Sequence, residues 1–198
     1  MFGRARQADR DYIRTINDQR RAKDRFFAAS PESPIPFEHR HGHPGYPGHI
    51  AGLSYYPPDP AFRVEAEVVP FAHPEIVQIG TSTGEIRPQA RSAELRFRIG
   101  GRDVRLFGFA DPQEHHAHEL FVPFRDATSG RETYGAGRYL EVEPYQQADG
   151  TYTATLDFNL AYNPYCAYSP NYSCPIPPKE NTLPASITAG ERSYTEGH

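Results

Sequence analysis

The sequence contains no tryptophan, one methionine and only two cysteines among its 198 residues. So few cysteines exclude a disulfide framework, and a chain of this length can bury a core without one. No run of about 18 apolar residues occurs, so no membrane span is predicted. The first 21 residues also lack the apolar centre of a secretory signal. We therefore expect a soluble, cytoplasmic protein with no membrane partner.

Familiar catalytic motifs are absent as well. The sequence has no G-x-S-x-G elbow, P-loop, H-E-x-x-H or EF-hand pattern. The fragment Gly135-Ala136-Gly137 lacks the third glycine and the following helix of a dinucleotide fingerprint. Whether the chain is an enzyme, and which cofactor it would use, stays unknown from motifs.

Charge is unevenly distributed. The net charge is −4, but residues 1–30 hold eight Lys or Arg against four Asp, a net of +4 that leaves −8 for the rest. An acidic body does not favour contact with a phosphate backbone, so we expect no nucleic-acid partner. The basic segment is interpreted as a solvated helix face. Contact of this helix with nucleic acid or with an acidic membrane is the alternative. Docking on a partner or on a second copy, which would make a homo-oligomer, is a separate hypothesis.

Aromatic residues and turn formers are abundant, with 13 Tyr, 12 Phe, 20 Pro and 16 Gly. Residues 8–29 lack Pro and Gly and carry a narrow apolar stripe, which predicts one N-terminal helix that docks on the body. Residues 31–60 form a connector rich in Pro, Gly and His. Residues 61–198 are predicted to be a β body with a C-terminal wrapping loop, so that 1–198 make a single domain.

Alternation of apolar and polar residues predicts the strands, at 62–68, 76–79, 93–99, 104–109, 120–124, 139–143 and 151–158. We expect a hairpin across Gly100-Gly101 and another that pairs 139–143 with 151–158 across Asp149-Gly150. The predicted fold class is mainly β: a small antiparallel barrel or sandwich with an N-terminal α-helix and a long irregular C-terminal segment.

The first candidate site is the stretch 123–143, which joins two predicted strands. Glycines free backbone amides there beside arginines and hydroxyls, a combination that suits a carboxylate or a phosphate. We interpret four of its residues as ligand-binding and one aspartate as a candidate acid or base: Arg125, Thr133, Tyr134 and Arg138, and Asp126. The alternative is a structural connection held by an Arg–Asp pair.

The second candidate site is the stretch 157–181. Asp157 and Asn159 are expected to share a strand face, followed by Tyr162 and Asn163 in a proline-fixed coil. Asn159, Tyr162 and Asn163 are interpreted as ligand-binding, and Asp157 as a catalytic candidate.

Cysteines and histidines provide further candidates. Cys166 and Cys174 are interpreted as small buried hydrophobes, metal ligands or a nucleophile, and these alternatives stay open. Two histidine clusters have the alternation that would bind a metal, but we assign no metal site: His39, His41, His43 and His49, then His115, His116 and His118.

Long segments of the chain resemble a known family. FVPFRDATSGRETYGAGRYLEVE and LDFNLAYNPYCAYSPNYSCPIPPKENTLPASITAGER look like the signature blocks of the prokaryotic domain of unknown function 1684, and KDRFFAASPESPIP and GLSYYPPD are similar to its N-terminal blocks. The resemblance supplies no activity. It implies a site among the polar residues that match these blocks: Arg125, Asp126, Thr128, Gly130, Thr133, Tyr134, Gly137, Arg138, Asp157, Asn159, Tyr162, Asn163, Cys166, Cys174, Pro177, Pro178, Glu180 and Asn181.

Three functions follow as hypotheses. The first is a protein that binds a small polar or anionic molecule in a β-barrel pocket. The second is a hydrolase or redox enzyme that uses Cys166 or Cys174 as nucleophile or metal ligand, with Asp126 or Asp157 as its base. The third is an interaction module that acts through the basic N-terminal helix. The first two require that the stretches 123–143 and 157–181 converge on one cavity.

Overall fold

The computed structural model describes residues 2–40, 53–113 and 118–194. Two α-helices, α1 (Phe2–Ala29) and α2 (Phe37–Arg40), precede the strands β1 (Arg63–Gly80), β2 (Ile86–Ile99), β3 (Arg102–Ala110), β4 (Leu120–Phe124), β5 (Arg138–Val142), β6 (Tyr145–Gln146) and β7 (Tyr152–Asp157). All seven strands form one antiparallel sheet, curled into a half-barrel, in the order β5-β4-β3-β2-β1-β7-β6. The prediction of a mainly β fold with an N-terminal helix is confirmed.

The predicted hairpin across Gly100-Gly101 is confirmed. Ile99 pairs with Arg102, so the two glycines form the whole connection between β2 and β3. Both have positive φ, +57° and +77°, as a two-residue turn that follows the twist of its strands requires. Strand β1 is longer than predicted. Residues 63–68 and 76–79 of the two predicted stretches belong to one strand, interrupted by a bulge between Pro70 and Glu75, and Phe62 ends the 3-10 turn before it.

The expected pairing of 139–143 with 151–158 is wrong. Strand β5 pairs with β4, and β7 pairs with β1 and with the two-residue strand β6. The turn at Asp149-Gly150 was identified correctly, but it joins β6 to β7. Pro144 explains why the predicted pairing is wrong. A proline two residues after the end of β5 has no amide hydrogen with which to continue the ladder. The chain therefore leaves the sheet after β5 and re-enters it at the opposite edge.

The C-terminal tail, residues 161–194, is part of the core. Its apolar side chains Leu183, Ile187 and Ala189 are at most 2% exposed and pack in one cluster with the inner face of the sheet. Asn181, which is fully buried, fills a gap between β3 and β4. Its side chain accepts from the Phe107 amide and donates to the carbonyls of Phe107 and Pro123, at 2.7–2.9 Å. An amide side chain thus replaces the backbone partners that these strands lack.

Helix α1 packs along the body, and its buried positions include Ile16 and Phe27, each 2% exposed. Phe27 forms a second small core with Ile35 and with Tyr168 of the tail. The predicted stripe on residues 8–29 therefore docks within the chain. None of the helices in the described residues combines the length and apolar character needed to cross a bilayer.

A pair of glycines tests how closely the tail approaches the body. Gly190 has φ +76°, and a Cβ there would lie 2.6 Å from the Ala161 carbonyl oxygen and 2.7 Å from that of Phe158. Gly150 has φ +87° and open space around it. We expect Gly150→Ala to lower the free energy of unfolding by about 1 kcal/mol, from backbone strain alone. Gly190→Ala should cost about 3 kcal/mol or more, because two backbone oxygens must also move. Urea unfolding measures both, and equal losses would contradict the close packing of the tail.

Candidate functional site

Arg138, at the start of β5, is 1% exposed and binds the tail. Its Nη1 donates to the carbonyls of Ala189 and Glu191, and its Nη2 donates to the carbonyl of Ile187 at 2.9 Å and to Asp126 Oδ1 at 3.4 Å. Burial lowers the pKa of the guanidinium, and the neighbouring carboxylate opposes that shift. Arg138 therefore joins the sheet to three alternate residues of an irregular segment.

Asp126 completes this buried network. Its carboxylate accepts from the Thr128 hydroxyl at 2.9 Å and from the Ile187 amide at 2.7 Å, and the Thr128 hydroxyl also lies 2.9 Å from that of Thr133. Asp126, Thr133 and Arg138 do meet, as the sequence predicts. They meet in the interior with their groups bound to one another and to the tail, which is the structural alternative described above. A ligand-binding or catalytic role for these residues stays a prediction.

Arg125 points elsewhere in the same connection. Its Nε donates to the carbonyl of Ala136 at 3.3 Å, while its backbone bonds to Asn181 and Leu183 of the tail at 2.9 and 2.8 Å. The side chain is half-buried. Arg125 thus holds its own loop closed and leaves part of its guanidinium accessible.

Asp157 and Asn159 form a second cluster, beneath α1. The expectation of a shared strand face is wrong, because β7 ends at Asp157 and residues Phe158–Leu160 form a turn of 3-10 helix that Asp157 caps. The two side chains still meet at the Tyr12 hydroxyl. This hydroxyl donates to Asp157 at 2.7 Å and accepts from Asn159 Nδ2 at 2.9 Å. Burial, and then the bond to Asp157, raises the pKa of Tyr12. The cluster anchors the helix.

Glu191 is a third anchor, which no pattern in the sequence predicted. It is 2% exposed, and it accepts from the Tyr168 hydroxyl at 2.7 Å and from the Asn163 amide at 2.6 Å. Lys23 of α1 forms an ion pair with it. Burial and the charge of Glu191 raise the pKa of Tyr168 well above its usual value. The donor of Asn163 to Glu191 is its backbone amide, while its side-chain Nδ2 donates to the carbonyl of Arg192 at 2.8 Å. The predicted role of Asn163 in ligand binding stays a prediction.

The two cysteines lie together in the tail, and both are free thiols. The backbone amide of Cys166 donates to Cys174 Sγ at 3.2 Å, and the Tyr134 hydroxyl donates to Cys166 Sγ at 3.7 Å. Burial raises the pKa of Cys174 to about 11. The two predicted stretches are therefore in contact here, through Tyr134 of the first and Cys166 of the second.

An aromatic groove of about 860 Å³ opens beside the thiols, between α1, the sheet and the tail. Seven aromatic rings line it, together with smaller side chains and one ammonium group: Phe26, Phe27, Phe121, Tyr139, Tyr162, Tyr165 and Tyr172, then Ala22, Pro164, Ser173, Cys174 and Pro175, then Lys23. Many of the rings meet edge to face, among them Phe121 with Tyr139 at 4.7 Å and Tyr165 with Tyr172 at 5.2 Å. The groove therefore has a preformed, largely apolar surface with the dimensions of a flat molecule.

Of the predicted site residues, Tyr162 and Cys174 line the aromatic groove. Tyr162 donates to Glu141, and burial followed by that bond raises its pKa. The rings of α1 were not predicted to belong to any site. The density of tyrosine in the tail was a signal, but the partner surface comes from a helix more than 100 residues away. The spacing along the sequence does not encode such a contact.

Metal binding finds no support in the described ranges 2–40, 53–113 and 118–194. No group of three or more His, Cys, Asp or Glu residues there is arranged to hold an ion. His41, His43, His49, His115 and His116 lie outside these ranges.

These features define a class of protein: a curled antiparallel sheet closed by an N-terminal helix and an ordered tail, with an aromatic groove where the three meet. The model of the family described as "Protein of unknown function (DUF1684)" matches residues 49–192, so the chain belongs to that family, as the signature blocks indicated. A comparison with curated proteins finds no match.

A solved structure is similar over nearly the whole chain. It is the solution NMR structure of an uncharacterized protein from gene locus rrnAC0354 of Haloarcula marismortui, with 41% sequence identity and a TM-score of 0.69. The similarity covers 94% of this chain and 96% of that one. The fold is therefore shared, and that protein is itself uncharacterized.

Two arginines of the first stretch allow a matched test of the buried network. Arg138→Lys keeps the charge but replaces a planar fork of five donors by a point charge with three, which cannot serve three carbonyls and a carboxylate. We expect a loss of about 2–4 kcal/mol in the free energy of unfolding. Arg125→Lys, with one long side-chain bond, should cost less than about 1 kcal/mol. Denaturant unfolding of the two variants decides, and equal losses would contradict the anchoring role of Arg138.

Proposed function

We propose that the protein binds a small, largely apolar, ring-containing molecule in the aromatic groove. The observation that carries this proposal is the groove itself, about 860 Å³ in volume and lined by seven rings and one ammonium group. Sites for small molecules typically have 300–1,000 Å³, an apolar lining and a few convergent polar groups. The groove has all three features.

The chemistry of the lining selects the ligand. Tyr139 and Tyr162 offer ring faces but use their hydroxyls within the protein, on the carbonyl of Pro175 and on Glu141. The ligand therefore finds aromatic carbon more often than free hydrogen-bonding groups. Phe26 and Tyr165 keep 38% of their surface exposed, and a bound ring would cover them. Stacking and edge contacts with such rings contribute beyond the burial of area.

Lys23 provides the polar end of the groove. Its Nζ lies 5.0 Å from the ring centre of Phe27 and 5.4 Å from that of Tyr162, and Glu191 satisfies part of its charge. An ammonium has three donors, so an acidic group on the ligand is accommodated at the same place. The sequence predicts an anionic ligand bound by Arg125 and Arg138. We propose instead an aromatic anion whose charge is bound by Lys23.

We propose a cytoplasmic location because two free cysteines suit a reducing compartment. No specific observation favours hydrolysis. The residues predicted as bases are bound elsewhere, Asp126 to Arg138 and Asp157 to Tyr12. The helix alternative also lacks support, because α1 uses Tyr12, Ile16 and Lys23 within the chain. A homo-oligomer stays a prediction.

A fluorescent probe of matching chemistry tests the proposal. 8-Anilinonaphthalene-1-sulfonate combines three rings with one negative charge. We expect saturable binding to the native chain, and at least about tenfold weaker binding to Ala22→Trp, since an indole on this exposed helix position fills the groove. Titration at constant protein concentration measures both dissociation constants.

The matched control is Ala29→Trp, the same change at the exposed end of the same helix, outside the groove lining. It should bind the probe within about twofold of the native chain. N-Phenyl-1-naphthylamine, which has the same rings without the charge, should bind more weakly than the sulfonate if Lys23 contributes. Equal affinity of the native chain and Ala22→Trp for the sulfonate would refute binding in the groove.

A further inference from the structure

The positions of Cys166 and Cys174 suit a covalent bond that is not present. Cys174 Sγ lies 3.2 Å from the backbone nitrogen of Cys166. That nitrogen is one bond from its Cα, and the sulfur is two bonds from its own, so the two Cα atoms lie at most about 7.5 Å apart, an upper limit that includes the span of a disulfide. The fold therefore holds two free thiols close together, with only seven residues between them.

The surroundings of Cys166 favour attack by its sulfur. The residue is half-buried rather than enclosed, and the Tyr134 hydroxyl donates to its Sγ at 3.7 Å. Burial, and then the bond to Cys166, raises the pKa of Tyr134 to about 12. The Tyr134 hydroxyl therefore keeps its proton at neutral pH and stays a donor to the Cys166 sulfur.

Cys174 is poorly suited to the first step. Burial, reinforced by the Cys166 side chain, raises the pKa of Cys174 to about 11, so this thiol is a poor first nucleophile. Low-pKa dithiols are strong oxidants because their reduced form is stabilised as a thiolate. The reduced form of Cys174 has no such stabilisation, and this favours the disulfide.

We propose that Cys166 and Cys174 form a redox-active dithiol that hydrogen peroxide converts reversibly into an intramolecular disulfide. The Cys166 thiolate attacks a peroxide oxygen, the O–O bond breaks, and the products are a sulfenic acid and hydroxide, which takes up the thiol proton as water. The Cys174 sulfur then attacks the sulfenic sulfur, and the S–O bond breaks to release a second water. Two electrons pass from the sulfurs to the peroxide, and an external dithiol returns them.

The bond would act on a defined part of the tail. Cys166 lies in the 3-10 turn Tyr165–Ala167. The backbone of Cys174 bonds to Ser82, at the turn between β1 and β2, through both its amide and its carbonyl, at 3.1 and 2.9 Å. A disulfide thus ties one wall of the groove to the end of the longest hairpin. The proposal is independent of whether a ligand binds the groove.

Stoichiometric hydrogen peroxide, added to the fully reduced native chain, tests the proposal. The tryptic peptide 139–179 contains both cysteines, because no Lys or Arg lies between Arg138 and Lys179. We expect this peptide to lose the mass of two hydrogens and to regain it with dithiothreitol. Two thiols that remain reactive, a gain of oxygen without the lighter species, or a disulfide between two chains would each overturn the proposal.

Glutathione redox buffers test whether the fold creates the site. The equilibrium constant for the disulfide should be at least about tenfold larger in the native chain than in the chain unfolded by guanidinium chloride, because only the native state holds the sulfurs together. Equal constants would overturn the proposal. This comparison needs no variant.

Tyrosine variants test the first step. Tyr134→Phe removes the donor to Cys166 and should slow peroxide consumption at least about threefold. The control is Tyr145→Phe in the edge strand β6, at the far side of the sheet from Tyr139 in β5. The Tyr145 hydroxyl bonds to the exposed Glu65, so this variant should leave the rate unchanged. A Tyr134→Phe rate equal to that of the control would refute the donor role. In the Cys174→Ser variant, peroxide should leave a sulfenic acid on Cys166 that dimedone traps. If the sulfenic acid instead forms on Cys174 in the Cys166→Ser variant, the assignment of Cys166 as the first nucleophile is wrong.

Discussion

The guanidinium of Arg138 is the junction between the sheet and the tail. Three carbonyls of the tail and the carboxylate of Asp126 converge on it in a site that is almost completely buried. A segment without regular secondary structure cannot satisfy its own backbone groups, so a buried tail needs donors from elsewhere. Arg138 supplies several at once from a planar fork. Asn181 does the same for the gap between β3 and β4.

The tail in turn determines where the helix lies. Glu191 sits next to the carbonyls that Arg138 holds, and its carboxylate receives Lys23 of α1. The groove exists only because helix and tail are fixed relative to the sheet, since each contributes part of its wall. Arg138 and Asp126, which the sequence predicts as site residues, thus also help to hold the tail that forms one wall of the groove. Their role in ligand binding stays a prediction.

The sequence was informative where chemistry is local. The Gly100-Gly101 turn, the alternation in β2 and β3 and the apolar stripe of α1 each have a cause within a few residues, and each prediction was confirmed. The predicted pairing of β5 is wrong because the alternation of apolar and polar residues within a strand does not determine which strand lies beside it. The groove was missed for the same reason on a larger scale: Phe26 and Tyr165 meet only after the whole chain has folded. A cluster of polar residues in the sequence indicates a structurally constrained segment. It does not tell residues that bind other parts of the chain from residues that bind a ligand.

One consequence concerns the outer edge of the sheet at β5. The backbone of Tyr162 pairs there with that of Tyr139 through two hydrogen bonds of 2.9 and 3.1 Å. An uncovered strand edge is a template for other chains, and proteins protect such edges. The irregular tail therefore covers this edge of the sheet. During synthesis the edge of β5 stays uncovered from the addition of Val142 until Tyr162 has been added, and in that interval it is open to pairing with other chains.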